Sequence, residues 1–201
     1  MRTLIATTDF SPSSINAVHY AADMAKAINA RLILFNAVPV PMAVSEIPVP
    51  EATLGDMLTE AAQELNVLKE KLVLRTTGKV DISTEVLMGS FVDKIDEISD
   101  QCNPFAIVMG IAKGKPIERF LMGSNTFYAI NKNSNPVLIV PEGASFRPIN
   151  KIGLACDLET VAETIPFKLV GEWVSVFKST LNIIHVSNKS KSQKSSEIGE
   201  A

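Results

Sequence analysis

Hydrophobic positions in the first 141 residues alternate between the spacing of strands and the spacing of helices. Runs typical of strands occur at five places: residues 4–6, 32–35, 80–87, 105–109 and 137–141. The clearest helical stripe repeats at intervals of four and three: Leu54, Leu58, Ala61, Leu65, Leu68 and Leu72. Helix-start residues precede two other stripes, Ser11 before the first and Ser90 before a shorter one. The alternation predicts an open five-stranded parallel α/β sheet with right-handed crossovers and helices on both faces.

The chain then repeats its opening pattern over a shorter length. Residues 151–157 resemble residues 3–9, and residues 181–186 resemble residues 32–37, with a helix pattern whose first turn contains Pro166 between them. The last residues are rich in serine and lysine, a composition that cannot form a packed core. We therefore predict an α/β domain over residues 1–143, a partial β-α-β unit over 150–187 and a flexible tail over 188–201.

Composition narrows the class of protein. The chain has 201 residues, 46% of them hydrophobic, and a net charge of −3. This content is sufficient for a core, and the charge balance gives no basic surface for nucleic acid. No apolar run reaches the roughly 18 residues of a membrane helix, and the two cysteines form no metal or disulfide motif. We expect a cytoplasmic protein that binds neither nucleic acid nor membranes.

Candidate binding residues stand where predicted strands end, which is where parallel α/β sheets bind ligands. Asp9 follows the first strand, Ala37 ends the second, and Gly110 follows the fourth. The next loop leads into a predicted helix near Ser124, and its glycine main-chain N–H groups can approach an anion. The candidate residues of this loop are Gly110, Gly114, Gly123, Ser124 and Asn125. The loop contains neither the P-loop motif nor GxGxxG.

Each candidate also has a structural interpretation. Asp9 can cap the first helix together with Ser11, and Gly123 with Ser124 can simply begin a helix. A group of basic residues in the loop is either a solvated face or a set of phosphate contacts: Lys113, Lys115 and Arg119. We interpret the remaining reactive side chains as packing or surface residues: His19, Cys102, Cys156 and His185.

Several short motifs resemble those of the universal stress protein family over residues 1–141. They are TTDFS at residues 7–11, VMG at 108–110, Gly123 with Ser124, and PVLIVP at 136–141. The resemblance implies a Rossmann-like, adenine-nucleotide α-hydrolase-like domain that binds ATP, with Mg²⁺ only as the companion of ATP. It further implies that Asp9 and the main chain at Ala37 hold ribose and adenine. The repeated opening resembles the tandem-domain type of the family, with the second domain incomplete.

The loop departs from the family pattern at one position. Nucleotide-binding members have G-x2-G-x9-G followed by Ser or Thr, whereas this chain has Lys113 at the middle glycine and Gly114 one residue later. A lysine either places a Cβ where the main chain must approach the ligand or supplies a cation to a phosphate. The residue types allow both interpretations.

Three functions follow from these observations. The first is a regulatory binding module that senses ATP, and the second is a dimeric stress-response interaction protein without nucleotide. The third, a slow ATP hydrolase, lacks support because the loop has no metal-ligand cluster and no paired carboxylates, so no catalytic residue is assigned. The last strand of the first sheet is apolar and is expected at an edge, which predicts a homodimer through Val137, Leu138, Ile139 and Val140.

Overall fold

A computed structural model describes residues 1–40, 51–113, 135–156 and 165–185. The chain divides into two units, Met1–Phe146 and Arg147–Ala201. In the described ranges, none of the helices combines the length and the apolar character that crossing a bilayer requires.

The first unit contains the predicted five-stranded parallel sheet. Its strands are β1 (Thr3–Thr7), β2 (Arg31–Val38), β3 (Ile82–Met88), β4 (Ala106–Ile111) and β5 (Val137–Pro141). Their order is β3-β2-β1-β4-β5, and every neighbouring pair is parallel. The chain therefore winds outward from β1 to one side and then to the other. β5 lies at an edge of this sheet, as predicted.

Helices cover both faces of the sheet. The three described helices of this unit are α1 (Pro12–Ile28), α2 (Glu51–Thr76) and α3 (Phe91–Cys102). Ile95 and Ile98 of α3 pack on alternate strand residues, which form one cluster: Ile5, Ile33, Phe35, Ile107 and Met109. Helices α1 and α2 contact each other and the sheet, and they cover the face to which the intervening strand residues point.

Local sequence accounts for where these helices begin. The Ser11 hydroxyl accepts a hydrogen bond from the Ser14 main-chain N–H, and Pro12 occupies the first helical position of α1. The Ser90 hydroxyl accepts from the Asp93 N–H at the start of α3. Both predicted helix starts are confirmed.

The leucine stripe of α2 is core, as predicted. Four of its positions are buried: Ala61, Leu65, Leu68 and Leu72. The two earlier positions, Leu54 and Leu58, are half-buried. The stripe thus packs α2 against the sheet rather than forming a coiled-coil seam.

Strand β4 extends further than the hydrophobic run predicts. Gly110 and Ile111 pair with Val140 and Pro141, so Gly110 lies within the strand and not after it. The pairing continues because β5 supplies a partner as far as Pro141. The predicted helix near Ser124 lies outside the described residues.

The second unit contains the predicted β-α-β pattern, formed by β6 (Lys151–Ala155), α4 (Phe167–Phe177) and β7 (Thr180–Ile184). Its two parallel strands begin in register at Lys151 and Thr180, as β1 and β2 do at Thr3 and Arg31. The register of the first two strands is therefore repeated. Pro166 precedes α4 as its N-cap residue instead of lying in its first turn. The predicted tail lies outside the described residues.

Candidate functional site

The segment after β1 turns sharply before α1 begins. Phe10 has a positive φ of 61°, and its main-chain N–H donates to the Thr8 hydroxyl oxygen at 2.9 Å. The Asp9 carboxylate accepts from the Ser11 N–H at 3.0 Å and from the Ser11 hydroxyl at 2.5 Å. Asp9 thus stabilises the turn that leads into the Ser11 cap, whereas the predicted capping of α1 is done by Ser11, because the Asp9 bonds reach Ser11 and not the helix N–H groups.

Asp9 is nevertheless partly exposed and charged. Partial burial raises its pKa, but hydrogen bonds from Ser11 and Ser14 outweigh burial and leave the pKa below its usual value. The carboxylate is therefore ionised at neutral pH. One of its oxygens serves the turn, and the group as a whole remains able to accept further hydrogen bonds.

A cleft of about 350 Å³ opens at the carboxyl ends of β1 and β2. Its size lies at the lower end of small-molecule sites. It is lined by Asp9, Phe10, Asn36, Ala37, Val38, Pro39, Met57, Glu60, Ala61 and Glu64. The cleft therefore combines apolar walls with carboxylates and one carboxamide, and it brings together two residues singled out in the sequence, Asp9 and Ala37.

The main chain of Ala37 faces the side of β2 that pairs with β1, at a position beyond the last β1–β2 pair. In a parallel ladder, the N–H and C=O of one residue point to the same neighbouring strand, and successive residues alternate between neighbours. The Phe35 oxygen accepts from the Thr8 N–H, whereas the Val38 oxygen accepts from the Gly89 N–H, each at 2.9 Å. Ala37 therefore points to the β1 side, as Phe35 does.

The β1–β2 ladder ends before it reaches Ala37. Its last pair is Thr7 and Phe35, and the N–H and C=O of Ala37 have no hydrogen-bond partner among the described residues. Ala37 is only half-buried, so these groups are open to the cleft that it lines. A free donor and a free acceptor lie side by side on one strand end, where a flat heterocycle with the complementary pair could bind.

Asn36 is a lining residue that the sequence analysis missed. Its side chain is among the buried polar groups, and its Nδ2 donates to the Thr8 carbonyl oxygen at 2.7 Å. A polar residue within the apolar run of β2 was the available signal. Glu60 and Glu64 were also missed, because their cleft position depends on how α2 packs beside β2.

Gly110 lies apart from this cleft and has a packing role. It is next to the first turn of α1, where its missing side chain admits the main chain of Ser13. This close approach explains a glycine at position 110 without a ligand.

The loop after β4 is described only as far as Lys113. The Lys113 main-chain N–H donates to a carboxylate oxygen of Glu142 at 3.0 Å, so this amide already has an anionic partner. The other predicted loop residues, Gly114, Gly123, Ser124 and Asn125, lie outside the described residues. In the described ranges, no three metal-binding side chains cluster together.

The comparisons with known proteins agree on one family. A sequence model described as "Universal stress protein family" matches residues 1–141. The universal stress protein MJ0531 of Methanocaldococcus jannaschii is 30% identical over 139 residues, which cover 68% of this chain and 80% of that protein.

Solved structures of the same family share the fold. A universal stress protein in complex with cAMP is 24% identical, has a TM-score of 0.52, and is matched over 71% of this chain and 98% of its own. A universal stress protein from Archaeoglobus fulgidus is 20% identical with a TM-score of 0.69, matched over 94% of this chain and 68% of its own.

Proposed function

The chain belongs to the universal stress protein family, and we propose that it is a regulatory module that binds an adenine nucleotide in the cleft beyond β1 and β2. The observation that carries the proposal is the N–H and C=O of Ala37, which have no hydrogen-bond partner in the described ranges. Adenine presents an amino donor beside a ring-nitrogen acceptor, which complements this pair. The similar solved structure with cAMP is also an adenine-nucleotide complex.

The remaining parts of the nucleotide are assigned by chemistry. The ionised Asp9 carboxylate accepts hydrogen bonds from ribose hydroxyls, which are neutral donors. The phosphates of ATP, with Mg²⁺ as their companion, extend toward the loop residues of the sequence motif: Gly110, Gly114, Gly123, Ser124 and Asn125. We assign Gly110 a packing role within this set and propose no catalytic residue.

A second candidate function is a dimeric interaction protein without nucleotide. Two observations favour it: Glu142 already occupies the Lys113 amide, and β5 lies at a sheet edge with Val137, Leu138 and Ile139 only half-buried. In this alternative, two copies pair through Val137, Leu138, Ile139 and Val140. A slow ATP hydrolase remains the third interpretation, and no observation favours it.

We also propose the organisation predicted from the sequence. Residues 1–143 form the binding domain, residues 150–187 an incomplete second domain of the tandem type, and 188–201 a flexible tail. The repeated strand register supports this assignment. The proposed location is the cytoplasm, where ATP is available.

Thermal unfolding with and without ligand tests the nucleotide proposal. ATP with Mg²⁺, or adenosine alone, is expected to raise the Tm, since a ligand at 100 times its Kd stabilises by about 2.7 kcal/mol. Ala37→Pro removes the free N–H without removing a ladder bond, and should abolish the shift. Ala37→Gly keeps both main-chain groups and should preserve it.

The outcomes separate the two functions. No shift for the wild type at millimolar ATP and adenosine, together with a dimer by light scattering that Leu138→Lys disrupts, would replace the first function by the second. An equal shift in the Ala37→Pro variant would show that the ligand binds elsewhere.

A further inference from the structure

Asn36 carries a buried carboxamide and lies between two apolar residues of β2, Phe35 and Ala37. It is 8% exposed, and it lines the cleft. Its hydrogen bond to the Thr8 oxygen fixes the orientation of the amide, because a carbonyl oxygen can accept only from the nitrogen. The contact joins residues 28 positions apart in the chain.

This hydrogen bond engages the oxygen to which the Ala37 N–H would donate in a longer ladder. One further step of the β1–β2 ladder would pair the Ala37 N–H with the Thr8 oxygen, and the Phe10 N–H with the Ala37 oxygen. The Thr8 oxygen is instead bonded to Asn36. The Phe10 N–H is bonded to the Thr8 hydroxyl.

Both groups that would bond to the Ala37 main chain in a longer ladder are therefore bonded to side chains, those of Asn36 and Thr8. The Thr8 hydroxyl accepts from the Phe10 N–H because Phe10 lies in a turn with positive φ. The Thr8 carbonyl oxygen instead accepts from Asn36, a residue of another strand. Without Asn36, the Thr8 oxygen would be a buried acceptor in need of a donor, and the Ala37 N–H lies in the direction of the next ladder position.

We propose that Asn36 is a positioning residue for the ligand of this cleft: by bonding to the Thr8 oxygen, it holds that carbonyl out of the next ladder position and keeps the Ala37 N–H available to a ring nitrogen of adenine. This inference rests on the proposed function for its ligand. The effect of Asn36 on the Ala37 amide requires no ligand.

Amide hydrogen exchange in the ligand-free protein tests this effect. In the wild type, the Ala37 amide should exchange at least about tenfold faster than the Phe35 amide, because it lacks a ladder partner. In Asn36→Ala, the Ala37 amide should become protected as the ladder extends. Asn36→Val provides a second variant with high strand propensity, in case the smaller residue impairs folding.

Adenosine analogues test the positioning role. In 1-deazaadenosine and 7-deazaadenosine, C–H replaces ring nitrogen N1 or N7, respectively. The analogue that lacks the nitrogen bound by the Ala37 N–H should bind the wild type about tenfold more weakly than adenosine. In Asn36→Ala and Asn36→Val, adenosine should bind more weakly, and the ratio of the Kd of that analogue to the Kd of adenosine should fall toward one. If Asn36 were merely structural, its substitution would weaken the binding of all three ligands equally and leave the ratio unchanged.

Asn16→Ala is the matched control, since Asn16 also donates to main-chain oxygens, those of Pro141 and Ala144, away from the cleft lining. It should leave both the exchange of Ala37 and the analogue ratio unchanged. An unchanged ratio and an unprotected Ala37 amide in folded Asn36 variants would overturn the inference while leaving the function intact. A wild type that binds no adenosine overturns the proposed function, and the exchange experiment then decides the role of Asn36 at Ala37.

Discussion

A Cβ atom at position 110 would lie 2.1 Å from the carbonyl oxygen of Ser13. That separation is far shorter than any contact between a carbon and an oxygen that are not bonded, and the oxygen belongs to rigid main chain in the first turn of α1. Glycine is therefore required where β4 passes the beginning of α1.

Gly110→Ala should consequently destabilise the first unit. Either α1 or β4 must shift to admit the methyl group, and overpacking of this kind costs about 3 kcal/mol. The free energy of unfolding from urea titrations measures the loss. Gly55→Ala in α2 is the control, because nothing lies within 4 Å of its added Cβ, and helix propensity predicts a gain of about 0.5–1 kcal/mol. Equal stability of the two variants would contradict the packing argument.

Asp9 should make the free energy of unfolding decrease at acidic pH. Burial raises its pKa, but the Ser11 and Ser14 hydrogen bonds outweigh burial and leave the folded-state pKa below the usual value. The carboxylate therefore stabilises the fold at neutral pH, and this contribution is lost as pH falls through the folded-state pKa.

The measurement is the urea midpoint of wild type and Asp9→Asn from about pH 7 to about pH 2, a range that spans an ordinary carboxyl pKa. The advantage of wild type over the variant should shrink below about pH 4. Parallel curves for the two proteins over the whole range would show that the hydrogen bonds do not favour the ionised form.

Asn16 joins α1 to the end of β5 and to the turn that follows it. Its Nδ2 donates to the oxygens of Pro141 and Ala144, each at 3.1 Å, beside an edge-to-face contact of Tyr20 with Phe146. Asn16→Ala should lower the free energy of unfolding by about 1–2 kcal/mol.

Asn66 provides the comparison for Asn16. It lies on α2, and the Thr84 hydroxyl reaches its carboxamide oxygen only at 3.5 Å. Asn66→Ala should be neutral or slightly stabilising, since alanine is the better helix former. A loss at Asn66 as large as at Asn16 would mean that the two long-range bonds contribute nothing specific.

Arg75 and Asp23 link α2 to α1 by two hydrogen bonds, from Nε at 2.9 Å and from Nη2 at 2.7 Å. Both side chains are partly exposed, so the pair should contribute only about 0.5–1 kcal/mol. A double-mutant cycle with Arg75→Met and Asp23→Asn measures this coupling, which should decrease at high salt.

Lys94 and Glu97 give a reference pair within one helix, with a single contact at 2.7 Å. Its coupling should be smaller, about 0.3 kcal/mol, because i,i+3 pairs on an exposed helix face are weak. A larger coupling there than between Arg75 and Asp23 would refute the argument from paired geometry.

The fold was predictable because its signals are local or periodic. Ser11, Pro12 and Ser90 mark helix starts through bonds within one turn. The stripe that includes Leu65 and Leu72 marks one buried face. The strand alternation sufficed for the parallel sheet, including the edge position of β5.

The candidate site was predictable only in part. Asp9 and Ala37 were located by the rule that ligands bind at strand ends, and the structure brings both to one cleft. Gly110 was expected after β4 as part of an anion site, but it lies within the strand and accommodates Ser13. A glycine motif alone does not distinguish a close ligand from a close helix.

By itself, the sequence determined the order of strands and helices along the chain and the helix caps, since each depends on residues a few positions apart. Comparison of residues 151–157 with residues 3–9 gave the repeated opening. Tertiary structure decided which main-chain groups stay unpaired. Within the part of the chain that the structure describes, the Ala37 N–H has no partner, since the β1–β2 ladder ends at Thr7 and Phe35 and the Thr8 oxygen is bonded to Asn36. That outcome depends on strand register and on contacts across 28 residues, which no local pattern specifies.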